Sequence, residues 1–225
     1  MQPFAHGTTP QPPAGQPAAA SATANDEPPR VLLIDASLTG PGGNCSRLLD
    51  AFDARLAGRA RTVRVALSGR DAHSFASLEP RLRAADAFVF ATGTHWDSWS
   101  SALQKFLEDA TPAEATELWL GKPAAVLVTE HSVGGKGVLS RLQGVLLTLG
   151  CALPPFSGLV LSHAAQLARQ HSPERSAAED FWSVEDLDVV AHNLCAAARR
   201  RSAGWRAWPV DRKDYARVWL DTTHP

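Results

Sequence analysis

Short apolar runs alternate with helix-period segments along this 225-residue chain, and the connectors between them are brief. That alternation predicts an α/β fold: a doubly wound, five-stranded parallel sheet, order 2-1-3-4-5, with helices on both faces. A third observation places its start. Residues 1–30 are dense in Pro, Ala, Gln, Thr and Gly and almost lack large apolar side chains. Such a segment cannot bury enough surface to offset its ordering entropy, so a disordered tail is expected before Val31.

Val31, Leu32, Leu33 and Ile34 form an uninterrupted apolar run, as expected of a strand buried on both faces. Residues 44–56 carry Leu48, Leu49, Phe52 and Leu56 at one-face helical spacing. Residues 62–67 alternate apolar and polar, as an edge strand does. A weak helix over 75–85 precedes a central third strand at Phe88, Val89, Phe90 and Ala91. A helix over 100–109 turns Leu103, Phe106 and Leu107 inward. Residues 124–128 read as the fourth strand, 136–149 as a helix closed by Gly150, and 159–161 as a short fifth strand. A last amphipathic helix spans 184–201 with Leu187, Val190, Leu194 and Ala198 on one stripe. The domain is therefore expected over 31–203, followed by an aromatic-containing extension over 204–225.

Composition limits the function. With 22 basic and 23 acidic residues the formal net charge is −1, which excludes bulk attraction to nucleic acid or an anionic membrane. Cys45, Cys151 and Cys195 lie far apart without a CxxC pair, against a disulfide framework or a cysteine zinc site. No apolar run approaches the roughly 20 residues that span a bilayer. A cytoplasmic location is expected.

In a sheet of this order ligands gather at the carboxyl ends of the strands, near the switch between the first and third. Three loops lie there. The first runs over 37–47, rich in glycine and hydroxyls, and turns a buried strand into a helix. Ser37, Thr39, Gly43, Asn44, Cys45 and Ser46 could hold a phosphate through hydroxyls and helix-terminal amides. No lysine opens the helix as a P-loop requires, and Cys45 stands where a dinucleotide fingerprint needs glycine. A monophosphate such as FMN fits neutral donors of this kind. The plainer alternative is that Asn44 or Ser46 merely caps the helix.

The second loop offers Thr92, Gly93, Thr94, His95, Trp96, Asp97 and Ser98. Aromatic rings at a strand end suit a flat ligand, and Trp96 is the preferred stacking residue. Trp99 is as readily explained by packing. The third loop presents Thr129, Glu130, His131, Gly134 and Gly135; the two glycines could turn their amides to a ligand's polar rim, and Glu130 and His131 could hydrogen-bond to it or to substrate. Lys136 is a further, weaker candidate for a dinucleotide phosphate.

The second loop with Leu103, Phe106 and Leu107 resembles the NAD(P)H-dependent FMN reductase family of flavodoxin-like proteins. Thr92 matches the family's threonine, Gly93 stands for its proline and His95 for its tyrosine. Ala36, Ser37 and Leu38, the following glycines, Ser46 and Arg47 resemble its phosphate loop. Gly121, Lys122, Pro123 and Ala124, with Thr129 and the glycines after it, resemble its third-loop region. The resemblance covers about residues 31–161. It implies FMN as cofactor, NAD(P)H as co-substrate, and a quinone, flavin or similar small molecule as electron acceptor. The third loop would then meet the pyrimidine edge of the isoalloxazine. The flavin carries the chemistry, so no side chain is named as catalytic and no metal is expected.

Other readings are a flavodoxin-like electron carrier without nicotinamide use, and a flavin-free binding module. The near-zero net charge argues against a carrier steered by a strongly acidic surface. A metal held by His95, Asp97, Glu130 and His131 would need ligands converging from two loops. Trp205, Trp208, Tyr215 and Trp219 follow the last helix and must pack on the same subunit or across a homodimer.

Overall fold

The computed structural model describes residues 27–171, 182–200 and 204–209. Residues 1–26 of the expected tail, Arg201, Tyr215 and Trp219 lie outside them. Five strands, β1 (Arg30–Asp35), β2 (Arg61–Ala66), β3 (Ala87–Gly93), β4 (Ala124–Glu130) and β5 (Gly158–Ser162), form one sheet in the order β2-β1-β3-β4-β5. Every neighbouring pair is parallel. The helices are α1 (Asn44–Leu56), α2 (Phe75–Ala84), α3 (Ser101–Ala110), α4 (Gly135–Leu149), α5 (His163–His171) and α6 (Leu187–Arg199). A 3₁₀ turn, Thr111–Ala113, follows α3.

Period-two alternation divides the strand side chains between two cores. Leu32, Ile34, Phe88, Phe90, Val126 and Val128 face the layer of α2, α3 and α4. Val31, Leu33, Ala87, Val89, Ala91 and Leu127 face α1 and α6. The first core is aromatic: fully buried Trp119 lies 5.2 Å from Phe88 and 6.4 Å from Phe106, ring centre to ring centre. The second face of β3 carries alanines instead, leaving room for α1, whose Leu49 and Phe52 are fully buried. Along the edge strand β2 only Val65 is buried.

Two features differ from the expectation. Helix α5 was not anticipated, and none of its residues is buried. Asp186 precedes α6, which starts at Leu187 rather than at 184. Trp205 lies against Gly121 and Trp208 Nε1 donates to Glu114 at 3.2 Å, while both rings stay more than half exposed.

Candidate functional site

At the carboxyl ends of β1, β3, β4 and β5 a cleft of about 600 Å³ opens between α1 and α5. One wall comes from the first loop and the start of α1: Ser37, Thr39, Gly43, Asn44 and Cys45. The floor is Gly93, Thr94 and His95, and the far wall is Thr129, Glu130 and His131. Eleven of the residues singled out in the sequence thus border one space.

The first wall is built around a helix N-terminus. Gly43 is the N-cap and no side chain caps α1, so neither Asn44 nor Ser46 has the capping role considered above. The first intrahelical bond is Arg47 N–H to Gly43 O, 2.9 Å. The amides of Asn44 and Cys45 therefore have no helical acceptor, and the positive end of the helix dipole faces the cleft. A larger residue at Gly43 would have to displace the Thr39 hydroxyl. A Cβ would sit 1.9 Å from Thr39 Oγ1 and 3.3 Å from Ser37 Oγ. Those two hydroxyls bond each other at 3.0 Å.

Ser46 does not reach the cleft. Its hydroxyl is buried and donates to Asp35 Oδ2 at 2.8 Å, with Gly40 O at 3.0 Å. A hydroxyl has one proton, and these carbonyl and carboxylate oxygens take it. Asp35 and its partner Arg64 (2.6 Å) were missed in the sequence. The available signal was an acid closing an otherwise apolar strand run. Burial alone would lower the Arg64 pKa, but hydrogen bonds and charge from Asp35 and Asp50 outweigh it and raise the value. The Cys45 thiol is pushed up to about 12 by burial first and the Asp35 charge second, against an opposing Arg64. It is a neutral thiol at physiological pH.

The second loop divides its residues between cleft and scaffold. Thr92 is fully buried; its hydroxyl donates to Gly93 O (3.1 Å) and accepts Ser100 N–H (3.0 Å). His95 and Ser98 exchange two backbone hydrogen bonds of 2.8 and 2.9 Å around Trp96 and Asp97, whose φ values are 49° and 57°. Positive φ at both central residues is the geometry of a type I′ hairpin turn. The turn sends His95 into the cleft and leaves Trp96 fully exposed outside it. Trp96, the expected stacking residue, thus lies outside the lining of the cleft. Asp97 and Ser98 also fall outside; the Asp97 carbonyl accepts from Arg141. Trp99 packs against the aromatic core and donates from Nε1 to Gln104 at 2.8 Å.

In the third loop the glycines serve the backbone. Gly134 has φ 96° and is the N-cap of α4. A Cβ on Gly135 would lie 2.5 Å from Val160. Glu130 turns its carboxylate to the Gly135 amide, so it caps α4 although it borders the cleft. His163 and Gln166 of α5 complete the rim, with His163 5.4 Å from His131 ring to ring. The signal for α5 was Ser162, whose hydroxyl accepts Ala165 N–H at 3.4 Å. Among the described residues no three His, Cys, Asp or Glu side chains gather as a metal site. No described helix is long and apolar enough to cross a membrane.

Residues 29–166 match the NADPH-dependent FMN reductase family. The chain belongs to this family. No curated protein matches the sequence. Solved structures place the reductase-family chain in the flavodoxin-like fold. RosB, solved with bound 8-demethyl-8-formylriboflavin-5'-phosphate, is 15% identical over 88% of this chain and 98% of its own, with TM-score 0.59. A flavodoxin, WrbA-like protein from Agrobacterium tumefaciens is 16% identical over 77% and 99%, TM-score 0.56. FerB, an NAD(P)H:(acceptor) oxidoreductase from Paracoccus denitrificans, is 17% identical over 77% and 98%, TM-score 0.56.

The cleft fits the family's flavin. Unengaged helix amides, two hydroxyls and a glycine packed beneath them suit a phosphate. Thr94 Oγ1 is buried beside the cleft without a hydrogen-bond partner, a group that a polar ligand edge would satisfy.

Proposed function

We propose that the protein is an NAD(P)H-dependent flavin oxidoreductase that passes electrons from a nicotinamide to a small acceptor such as a quinone or a second flavin. The observation that carries this reading is the uncapped α1 N-terminus, opening with its glycine and hydroxyls onto a cleft of about 600 Å³. FMN, when bound, supplies the hydride chemistry. The Asn44 and Cys45 amides and the Ser37 and Thr39 hydroxyls bind the phosphate. Gly93, Thr94 and Thr129 border the flavin, with the Thr94 hydroxyl given a polar partner. His95 and His131 offer ring N–H donors toward flavin or substrate. Glu130 Oε2 is engaged by the Gly135 amide, and the Cys45 thiol stays protonated, so the thiol is not a nucleophile here. The protein's part is to orient the reactants and exclude water.

The test is direct. Purified protein should show a flavin absorbance band, retained or acquired on adding FMN, and release FMN on denaturation. With NADH or NADPH and a soluble quinone it should turn over. Protein that binds no FMN refutes the proposal. Protein that binds FMN but oxidises neither nicotinamide is a carrier, and the reductase reading fails.

A further inference from the structure

We propose that Asp35 is a positioning residue: its buried carboxylate, clamped by Arg64, fixes the first loop so that the free α1 amides face the phosphate of a flavin mononucleotide. This rests on the reading of the cleft as an FMN site.

One carboxylate holds both ends of the loop. Asp35 Oδ1 accepts the Ser37 amide at 2.9 Å, where the loop leaves β1. Asp35 Oδ2 accepts the Ser46 hydroxyl at 2.8 Å, in the first turn of α1. The same hydroxyl lies 3.0 Å from Gly40 O, at mid-loop. Arg64 crosses from β2 to Asp35 at 2.6 Å, reaches Ser46 O at 3.3 Å, and pairs with Asp50 on α1. Strand, loop and helix therefore meet at one ion pair, whose carboxylate is buried and whose guanidinium is 31% exposed.

Apolar packing does not set the loop's shape. A second cavity of about 420 Å³ lies behind it, bordered by Asp35, Gly40, Ser46, Arg64 and Ser68. The loop is a partition between two open spaces, and Leu38 on it is about half exposed. Polar bonds to Asp35 supply the rigidity that a packed core supplies elsewhere. The carboxylate itself would repel a phosphate, so its use is to aim the neutral amides. Arg64 balances the charge that makes this arrangement tolerable.

The consequence is selectivity for the phosphorylated flavin, because the brace shapes only the phosphate end of the cleft. The experiment measures dissociation constants for FMN and riboflavin with the parent, Asp35→Asn, Ser46→Ala and the double variant. Each single variant should weaken FMN about tenfold or more, the loss of a charge-assisted bond expressed as affinity. The double variant should be no worse than the poorer single one, since both break the same link. Riboflavin affinity should stay within twofold in every variant. Arg64→Lys should retain more FMN affinity than Arg64→Gln, and this pair carries the test should Asp35→Asn fail to fold. The proposal is overturned if Ser46→Ala weakens FMN while Asp35→Asn does not, which would make Ser46 a direct ligand. Additive losses, or a parallel loss of riboflavin, overturn it equally. A parent protein that binds neither flavin removes the FMN reading itself, a result distinct from any failure of the brace.

Discussion

Gly134→Ala tests the junction between the second and third loops. The glycine sits at φ 96°, where an L-residue costs roughly 1–2 kcal/mol. Its new Cβ would also lie 2.3 Å from Asp97 Oδ1, too close for any real contact. The turn between His95 and Ser98 holds the Asp97 backbone, so relief comes from rotating its exposed carboxylate away. Moving it off its rotamer costs about 0.5–1.5 kcal/mol. The sum, about 1.5–3.5 kcal/mol, should lower the melting temperature by roughly 3–14 °C in a chain of this size. The collision part is separable. Asp97→Gly removes the obstructing carboxylate and suits the turn's positive φ, so Gly134→Ala with Asp97→Gly should recover about a third of the loss. Melting curves of the four proteins, followed by circular dichroism, give the answer. Unchanged stability in Gly134→Ala, or a double variant no better than the single, would refute the reasoning. Because the same turn carries His95, flavin affinity should fall in Gly134→Ala and recover with the second substitution.

Three further outcomes are expected. Trp96→Asn should leave FMN affinity within about twofold and raise stability by roughly 1 kcal/mol, since Asn tolerates positive φ at this turn position better than Trp; a large loss of FMN affinity would restore the tryptophan to the site. Lys122→Met should cost about 2–3 kcal/mol, because the buried ammonium donates to Leu82 O at 2.8 Å and Arg83 O at 3.1 Å in the last turn of α2, and a urea midpoint equal to the parent's would contradict this. Burial pushes the Cys45 and Cys151 thiols from 9.0 up to about 12, so folding favours their neutral forms. The resulting stability is intact below pH 9 and is lost as pH rises toward 12. Native protein at pH 8 should resist iodoacetamide at all three cysteines and react at all three in denaturant, whereas fast labelling of one native thiol would show an open site.

What the sequence revealed follows from the range of the interactions involved. The strands were legible because period-two burial is written locally: Val31 to Ile34 are apolar without a break, and all four are buried. The short crossovers implied parallel strands, and five strands in roughly 130 residues fit the order of a flavodoxin-like sheet. Helix α5 left no apolar stripe to find, because nothing on it is buried. Its only marker was the hydroxyl of Ser162. Within the candidate site, glycines and hydroxyls identified the loops but not which side chains turn inward. Trp96 and His95 are neighbours, and a two-residue turn with no glycine or asparagine puts only His95 in the cleft lining. Ser46 was diverted by Asp35, eleven residues earlier, and by Arg64 on another strand. Such partners appear only once the sheet has brought them together.

The all-parallel register also bears on how the molecule forms. Paired strands are never adjacent in a hairpin: Arg30 meets Arg61, Phe88 meets Ala124, and Val126 meets Gly158, each across more than about 30 residues. Val31 must wait for Ala87, 56 residues further along, before its second edge is covered. No strand pair can nucleate from a local turn, so loop-closure entropy must be met before any ladder bond rewards it. During synthesis β1 leaves the ribosome as an apolar strand with two open edges. Its early fate depends on how quickly β2 and then β3 arrive. A chaperone that shields this stretch would act on the interval when the nascent chain is most exposed to aggregation.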